Sequence, residues 1–490
     1  MSLHSDIHGS HELQKRLITE ESLRSSSSQP IYLSAVEIVG GEGYSSDFFR
    51  KLIYPLTDSS DYTLRELVKR VESVQDRFVK TDAFRDVNSS IHTDFKTIPP
   101  EDVKNYNKDK SIPTKVLFDV DSFNLNGGTG FLNVNNEDAL AVNFNYLNNN
   151  FYGNAELVNI GVDYSPYAPN QHLLANAKFL ANLNDPSFKF LVDVFNTHQN
   201  NKSWQKAAER SLGGLIGLQY ANKVKNLHAL TGVSLVKRSL YDIEEDAPES
   251  LRAFANESLK SSIVTQLAYS NTAYLNSITK NFPTDGYTFA LSNEISANQG
   301  QTDSKQDKWF SKTTLALNLY KSFWNKNFTL HLSNNIGGVY DPSKSGIHVS
   351  DKFYLGGYNS FKGFSKSAVN TSGGLQFYKV ALNFYAKLPS AIYTSHLKPA
   401  TNTPMFEDGQ GYEANPLRLY ASLASGNVSD DLLSDNTHAG CFAVGIKYIN
   451  DWANFDIGYN FAKRFGSDSQ HGIKDGFQLS VSIGGSSRYT

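Results

Sequence analysis

Few residues of this chain are spaced for covalent or metal chemistry. No nucleophile elbow, zinc-binding His-Glu pair, phosphate loop or close pair of carboxylates rises above chance in the sequence. His4, His8 and His11 could gather a metal, but in a tail this rich in Ser and charge the plainer reading is solvated residues. Glu244, Glu245, Asp246 and Glu249 form an acidic run that reads as a solvated connection. Cys441 is the single cysteine, which excludes an intramolecular disulfide framework and a zinc site built from several thiolates. No enzyme activity, metal or cofactor is expected.

Two other segments carry the chemistry of the backbone. Lys352 to Phe364 brings together Phe353, Leu355, Gly356, Gly357, Lys362, Gly363 and Phe364. The glycines permit positive φ and close approach, and the phenylalanines give a loop something to bury. The flanking pattern lacks the strand and helix that a phosphate cradle needs. Near the C-terminus, Lys474, Gly476, Leu479 and Val481, with Phe477 among them, follow the order polar, x, Gly, x, x, hydrophobic, x, hydrophobic. Gly484 and Gly485 then weaken that strand's ladder, and a seam that opens offers N–H and C=O groups to an added strand.

The elements that must hold these segments are mostly strands. Beyond Gly127 the helical period gives way to alternation: Leu140, Val142, Phe144 and Tyr146 share one face, and Ala141, Asn143 and Asn145 the other. Val158 to Tyr164 and Phe188 to Val194 repeat the arrangement. About sixteen strands are predicted, near 129–136, 139–147, 155–164, 173–181, 187–196, 211–221, 227–239, 261–270, 287–296, 312–323, 327–337, 374–388, 417–426, 441–449, 453–462 and 476–485. Most have the roughly nine to eleven residues that cross a hydrocarbon core at a tilt, and an even count closes an antiparallel barrel without edges. The alternative is a soluble sandwich or solenoid, but no fixed repeat and no second apolar face are present. Lys312, Lys321 and Lys447 are placed at or near strand ends, and Tyr164, Tyr220, Tyr320, Phe323 and Tyr448 are candidates for interfacial belts. The longest irregular connection in the C-terminal half, about 338–373, contains the glycine-rich segment.

Composition agrees. The chain has 490 residues, a formal charge of -3 and no charge asymmetry that argues for nucleic acid. Mean hydropathy is -0.40, and no apolar run of about 18 residues could cross a bilayer as a helix, a test blind to barrels. Residues 1–29 are expected to be a disordered tail. They lack a signal-peptide core, and Asp6, Glu12, Glu20 and Glu21 argue against an acid-poor presequence.

Residues 30–125 read as a small α/β layer. A strand at Ile31–Ile38 and a short helix at Asp47–Ile53 precede a stronger helix, for which Thr63 and Glu66 supply a capping box. Its apolar positions are Leu64, Leu67, Val68, Val71, Val74 and Phe78. Strands at Ser89–Phe95 and Lys115–Phe123 follow. This order, with the phrase Lys80 to Val87, resembles a POTRA domain, the polypeptide-transport module of outer-membrane insertases.

The glycine-rich segment resembles the sixth loop of the BamA and SAM core-barrel insertase family, with Lys362 where the family usually has arginine. That loop folds into the lumen and pins its basic residue against the wall. Lysine lacks arginine's planar fork. The strand that often reads aromatic-x-Asp-x-Gly is matched here by Leu423 to Asn427, with no acid, so the ion pair is expected to be absent. The C-terminal pattern resembles the β-signal of mitochondrial outer-membrane barrels. Together these features resemble the core barrel of the mitochondrial sorting and assembly machinery. The resemblance implies an all-β transmembrane barrel over 126–490 with one POTRA-like domain in the intermembrane space. It implies an insertase of the mitochondrial outer membrane that folds β-barrel precursor proteins through a lateral gate. The first strand, with Gly130, Phe131, Leu132, Asn133 and Val134, would pair with the precursor beside the last strand. Peripheral SAM subunits, a second morphology barrel and membrane lipid are the implied partners, and nucleic acid is not among them. A polypeptide-secreting or passive pore remains the alternative reading.

Overall fold

The computed structural model describes residues 21, 25–97, 111–137, 139–168, 170–222, 226–276, 281–298, 309–342, 346–388, 417–449, 453–466 and 471–486. The expected tail, with its three histidines, lies outside the described residues up to position 20. The chain divides into two compact units: 1–126 with 148–158 and 181–189, and the remainder.

In the first unit, β1 (Pro30–Val39), α1 (Ser46–Thr57), β2 (Asp61–Thr63), α2 (Leu64–Lys80), β3 (Phe84–Thr93) and β4 (Ile112–Ser122) form a sheet ordered β2-β1-β4-β3 under two helices. β1 runs parallel to β4 and the other pairs are antiparallel. The capping box forms: Glu66 N donates to Thr63 Oγ1 and Thr63 N to Glu66 Oε2. Leu67, Val71, Val74 and Phe78 recur every three or four residues and are buried, with Phe78 stacked on Phe118 of β4. α1 is one turn longer than its apolar spacing predicts, and β3 begins five residues earlier than expected. Phe84 and Val87 fill the core while the residues between them are polar, which masks the strand in the sequence.

The second unit is a closed barrel of sixteen antiparallel strands. They are β5 (Asn126–Asn135), β6 (Ala141–Asn148), β7 (Leu157–Ser165), β8 (His172–Asn182), β9 (Phe188–Asn200), β10 (Ala208–Asn222), β11 (Leu227–Tyr241), β12 (Ser258–Asn276), β13 (Asn281–Asn298), β14 (Trp309–Phe323), β15 (Phe328–Tyr340), β16 (Gln376–Lys387), β17 (Leu417–Ser429), β18 (His438–Ile449), β19 (Ala453–Phe465) and β20 (Gly476–Ser486). All sixteen predicted strands are present. β12 and β13, at 19 and 18 residues, outrun their predicted lengths, because the ladder continues into polar residues beyond the apolar band. Successive strands are neighbours, and β20 returns to β5.

Alternation decides which atoms face outward. Val142, Phe144, Ile160, Val162, Val233, Leu235, Ile263, Phe442 and Val444 are exposed on the outer wall, as a barrel immersed in lipid requires. Among the described residues no helix is long and apolar enough to span a membrane. Tyr320 departs from its expected belt: its ring stacks on His331, 4.3 Å between centroids. Lys312 is near the start of β14, as expected, and its ammonium lies 4.6 Å from the centre of the Phe353 ring. The acidic run is only partly solvated. Glu244 and Asp246 pair with Lys206 at 3.0 and 3.2 Å, and Ala247 and Leu251 are buried.

Two outcomes are expected from this architecture. Val233→Arg, on the outer face at 56% exposure, should cost about 2–4 kcal/mol in folding into bilayers. Gln266→Arg, on the opposite face of its strand from Ile263, should cost far less, as denaturant titration in lipid would show. In the first unit Asp94 accepts hydrogen bonds from the Thr97 hydroxyl, the Lys96 amide and the Ser34 hydroxyl, which hold its carboxyl down at about 2. A depressed value stabilises the fold above the ordinary carboxylate range, and that stability is lost as pH falls through about 2. Hydrogen exchange in β1 and β3 should therefore differ between the unmodified protein and Asp94→Asn at pH 5, and the difference should vanish towards pH 2.

Candidate functional site

The connection from β15 to β16 turns into the barrel and meets the inner wall at two ion pairs. At the first, Asp351, in the short 3-10 turn Val349–Asp351, accepts from Arg238 Nη1 of β11 at 2.7 Å and from Lys260 Nζ of β12 at 2.6 Å. Lys260 also reaches Glu294 of β13 at 2.8 Å. All three groups of the Asp351 cluster are buried. A buried anion between two cations is stable only in fixed geometry, so this cluster pins the loop.

At the second, Lys362 Nζ lies 2.6 Å from Asp456 Oδ2 of β19. This corrects the expectation of a missing ion pair. The acid is not on the strand containing Leu423 to Asn427 but two strands further on, where Phe455 and Ile457 face outward and Asp456 inward. The absent guanidinium fork is also replaced: Tyr420 OH of β17 donates to Asp456 Oδ1 at 2.9 Å, so lysine and tyrosine together satisfy both carboxylate oxygens. The Lys362 ammonium sits 5.0 and 5.1 Å from the ring centres of Tyr358 and Tyr420.

Between the anchors the loop behaves as a core. Phe353, Leu355, Phe361 and Phe364 are buried together with Phe310, Val339, Val428, Ala439 and Cys441 from the wall. Gly363 is required by contact. It has φ +79°, and a Cβ there would stand 2.6 Å from the Ala462 Cβ. Lys379 Nζ donates to the Ser360 carbonyl, and Arg464 Nη2 to that of Ala368 at 2.6 Å.

The seam lies between β5 and β20. Among the described residues its ladder runs from Thr129↔Ser486 to Asn135↔Ser480. Leu132↔Ile483 and Val134↔Val481 pair on the outer face. Phe131 and Asn133 alternate to the inner face, opposite Gly484 and Ser482. Gly130 faces Gly485. The Phe131 ring covers Gly484 so closely that any Cβ there would collide with it, so this glycine accommodates an aromatic as well as weakening the strand. Gly476 opens β20, Phe477 is exposed, and Leu479 is level with Ile457 of β19. Lys474 precedes the strand, and its amide donates to the Gly363 carbonyl at 2.8 Å. The loop motif and the C-terminal pattern, far apart in sequence, are thus in contact.

Arg238, Lys260, Asp351 and Asp456 escape a reading by motif, because none belongs to a short pattern. For Arg238, Lys260 and Asp456 the available signal is a charge in the inward phase of an apolar strand; Asp351, in a loop turn, has none. Among the described residues no group of His, Cys, Asp and Glu could hold a metal.

Comparison with known proteins agrees with this geometry. The sequence profile of the Omp85 superfamily domain matches residues 150–399. The chain is 24% identical over 392 residues to a SAM50-like protein of Schizosaccharomyces pombe, spanning 76% of each. It is 23% identical over 249 residues to the outer membrane protein assembly factor BamA of Neorickettsia risticii, 51% of this chain and 30% of that one. The crystal structure of BamA from Haemophilus ducreyi lacking POTRA domains 1-3 superposes with a TM-score of 0.66 at 12% identity, over 93% of this chain and 85% of that one. CdiB from Acinetobacter baumannii gives 0.54 at 13%, over 94% and 74%.

Removing the shared anion by Asp351→Ala leaves Arg238 and Lys260 buried in excess and should destabilise the loop by about 3–5 kcal/mol. Limited proteolysis should then cut within 346–375, while Lys362→Arg, which keeps the partner of Asp456, should stay resistant.

Proposed function

Because the chain belongs to the Omp85 superfamily, we propose that it is an insertase that folds β-barrel precursor proteins into the mitochondrial outer membrane. Relatives named SAM50-like protein and BamA support the activity, and the likeness to the first supports the compartment. The observation that carries the reading is the seam. It is the one junction that joins the first and last strands of the barrel, which are not adjacent in sequence.

On this reading Gly130 to Val134 form the edge that receives a precursor's terminal strand, while Phe477, Leu479 and Val481 of β20 move aside. Lys474 keeps its contact with the lumen loop, and Gly476 starts the strand. Burial of the precursor's apolar face in lipid and completion of its backbone hydrogen bonds supply the free energy, so no nucleotide, metal or covalent step is needed. The protein lowers a barrier by presenting a strand edge inside the membrane, where unpaired N–H and C=O groups are costly. The anchored loop keeps the rest of the cylinder rigid while one junction opens. The N-terminal α/β domain acts as a POTRA module in the intermembrane space. Peripheral subunits, and a second barrel, are its companions.

Cysteines at 130–134 should crosslink to the terminal strand of a barrel precursor during import into isolated mitochondria. A disulfide joining Leu132→Cys to Ile483→Cys should arrest insertion while leaving ion conductance unchanged. Crosslinks confined to inward-facing lumen residues, or insertion unaffected by the lock, would instead identify a pore.

A further inference from the structure

A carboxamide stands on the lipid face of the barrel at the middle of the membrane. From rim to rim, the outward positions of β15 are Phe328, Leu330, Leu332, Asn334, Ile336, Gly338 and Tyr340. Phe328 belongs to an aromatic belt with Trp324 and Phe384, at 5.1 and 5.6 Å between ring centroids, and Tyr340 to a second belt with Trp309 at 6.2 Å. Asn334 is equally far from both along the strand. The half-strand on either side rises about 20 Å, or about 14 Å along the membrane normal at a tilt near 45°, which is half of a ~30 Å hydrocarbon core.

The wall does not answer this amide. Its pair partners are Leu317 of β14 and Val380 of β16, and Asn334 Oδ1 is enclosed without a hydrogen-bond partner. An unpaired polar group in hydrocarbon is costly, and lipid offers only methylene and methyl groups at that depth. A partner group must come from a polypeptide. The backbones that cross hydrocarbon with their own polar groups satisfied are helices and closed barrels.

The same face favours a helix. Gly338 is a notch, since a Cβ built there would meet nothing within 4 Å. The notch is rimmed by polar groups: Asn293 of β13 donates through Nδ2 to Ser311 Oγ at 3.1 Å and to Thr313 Oγ1 at 2.7 Å, and Thr313 pairs with both Asn293 and Gly338. A small residue beside hydrogen-bonding side chains is the combination by which helices pack inside membranes. β13 to β15 span about 10 Å at a strand spacing of ~4.8 Å, the width of one helix.

We propose that the outward face of β13–β15 is a docking surface for a transmembrane helix of another protein. The helix packs at Gly338 and carries a serine, threonine, asparagine or glutamine that hydrogen-bonds Asn334 at mid-membrane. This surface lies away from the β5–β20 junction and does not depend on the insertase reading.

The test titrates the full chain in lipid nanodiscs with a fluorescent synthetic helix of leucine and alanine bearing one central asparagine, and with the same helix lacking it. Asn334→Leu installs the residue type that surrounds the site and should fold at least as well. The asparagine helix should bind the unmodified protein about three- to ten-fold more tightly than Asn334→Leu, as one intramembrane hydrogen bond gives. The apolar helix should bind both alike, and Asn334→Gln should restore the preference. Equal binding of the asparagine helix to the unmodified protein and Asn334→Leu would overturn the proposal. In native membranes, a photo-crosslinking residue in place of Asn334 should join an apolar span of about 20 residues that carries such a polar side chain, identified by mass spectrometry. The same residue in place of Val233, elsewhere on the outer wall, should not. Adducts between two copies of this chain, adducts with another barrel, or none at all would overturn the helix.

Discussion

The rest of the structure depends on one constraint: inside a bilayer every backbone N–H and C=O must find a partner within the protein. A strand sheet meets that demand only by closing, and a single chain that closes must bring its first and last strands together. β5 and β20 do so without the benefit of a connecting turn. Each other junction in the barrel is made by strands adjacent in sequence, so local chain connectivity sets its register. The β5–β20 junction has to be set by side chains and by the lumen loop.

A cylinder of sixteen strands is too wide for its wall residues to fill, and this chain supplies an internal core instead. Four buried side chains of the loop, Phe353, Leu355, Phe361 and Phe364, pack against the wall as a small globular domain would pack. The charges at Asp351 and Lys362 fix where that core sits. Apolar packing alone would tolerate sliding along a smooth wall, whereas two ion pairs on opposite parts of the cylinder do not.

Much of this was legible in the sequence. Two-residue alternation identified the strands, because lipid outside and polar groups inside impose it on each crossing. The spacing of Leu67, Val71, Val74 and Phe78, with Thr63 and Glu66 ahead of them, marked α2 and its cap. The glycine and phenylalanine pattern of 352–364 marked the loop. The alternation was silent where polar residues extend the ladder, as in β12 and β13, and where apolar residues are sparse, as at the start of β3.

The partner of Lys362 shows where such reading stops. The sequence contained both Asp456 and the lack of an acid near Leu423, but which strand faces the loop depends on the closure of the whole barrel. The same holds for Asp351 with Arg238 and Lys260, for Tyr420 completing a lysine's missing fork, and for Phe131 lying over Gly484. Sequence by itself determined the barrel, its strand count and the segments rich in backbone chemistry, because these follow from periodicities a few residues long. Only the tertiary structure decided which charges meet and how the seam is held, because those contacts join residues from tens to hundreds of positions apart, and no local pattern encodes such a distance.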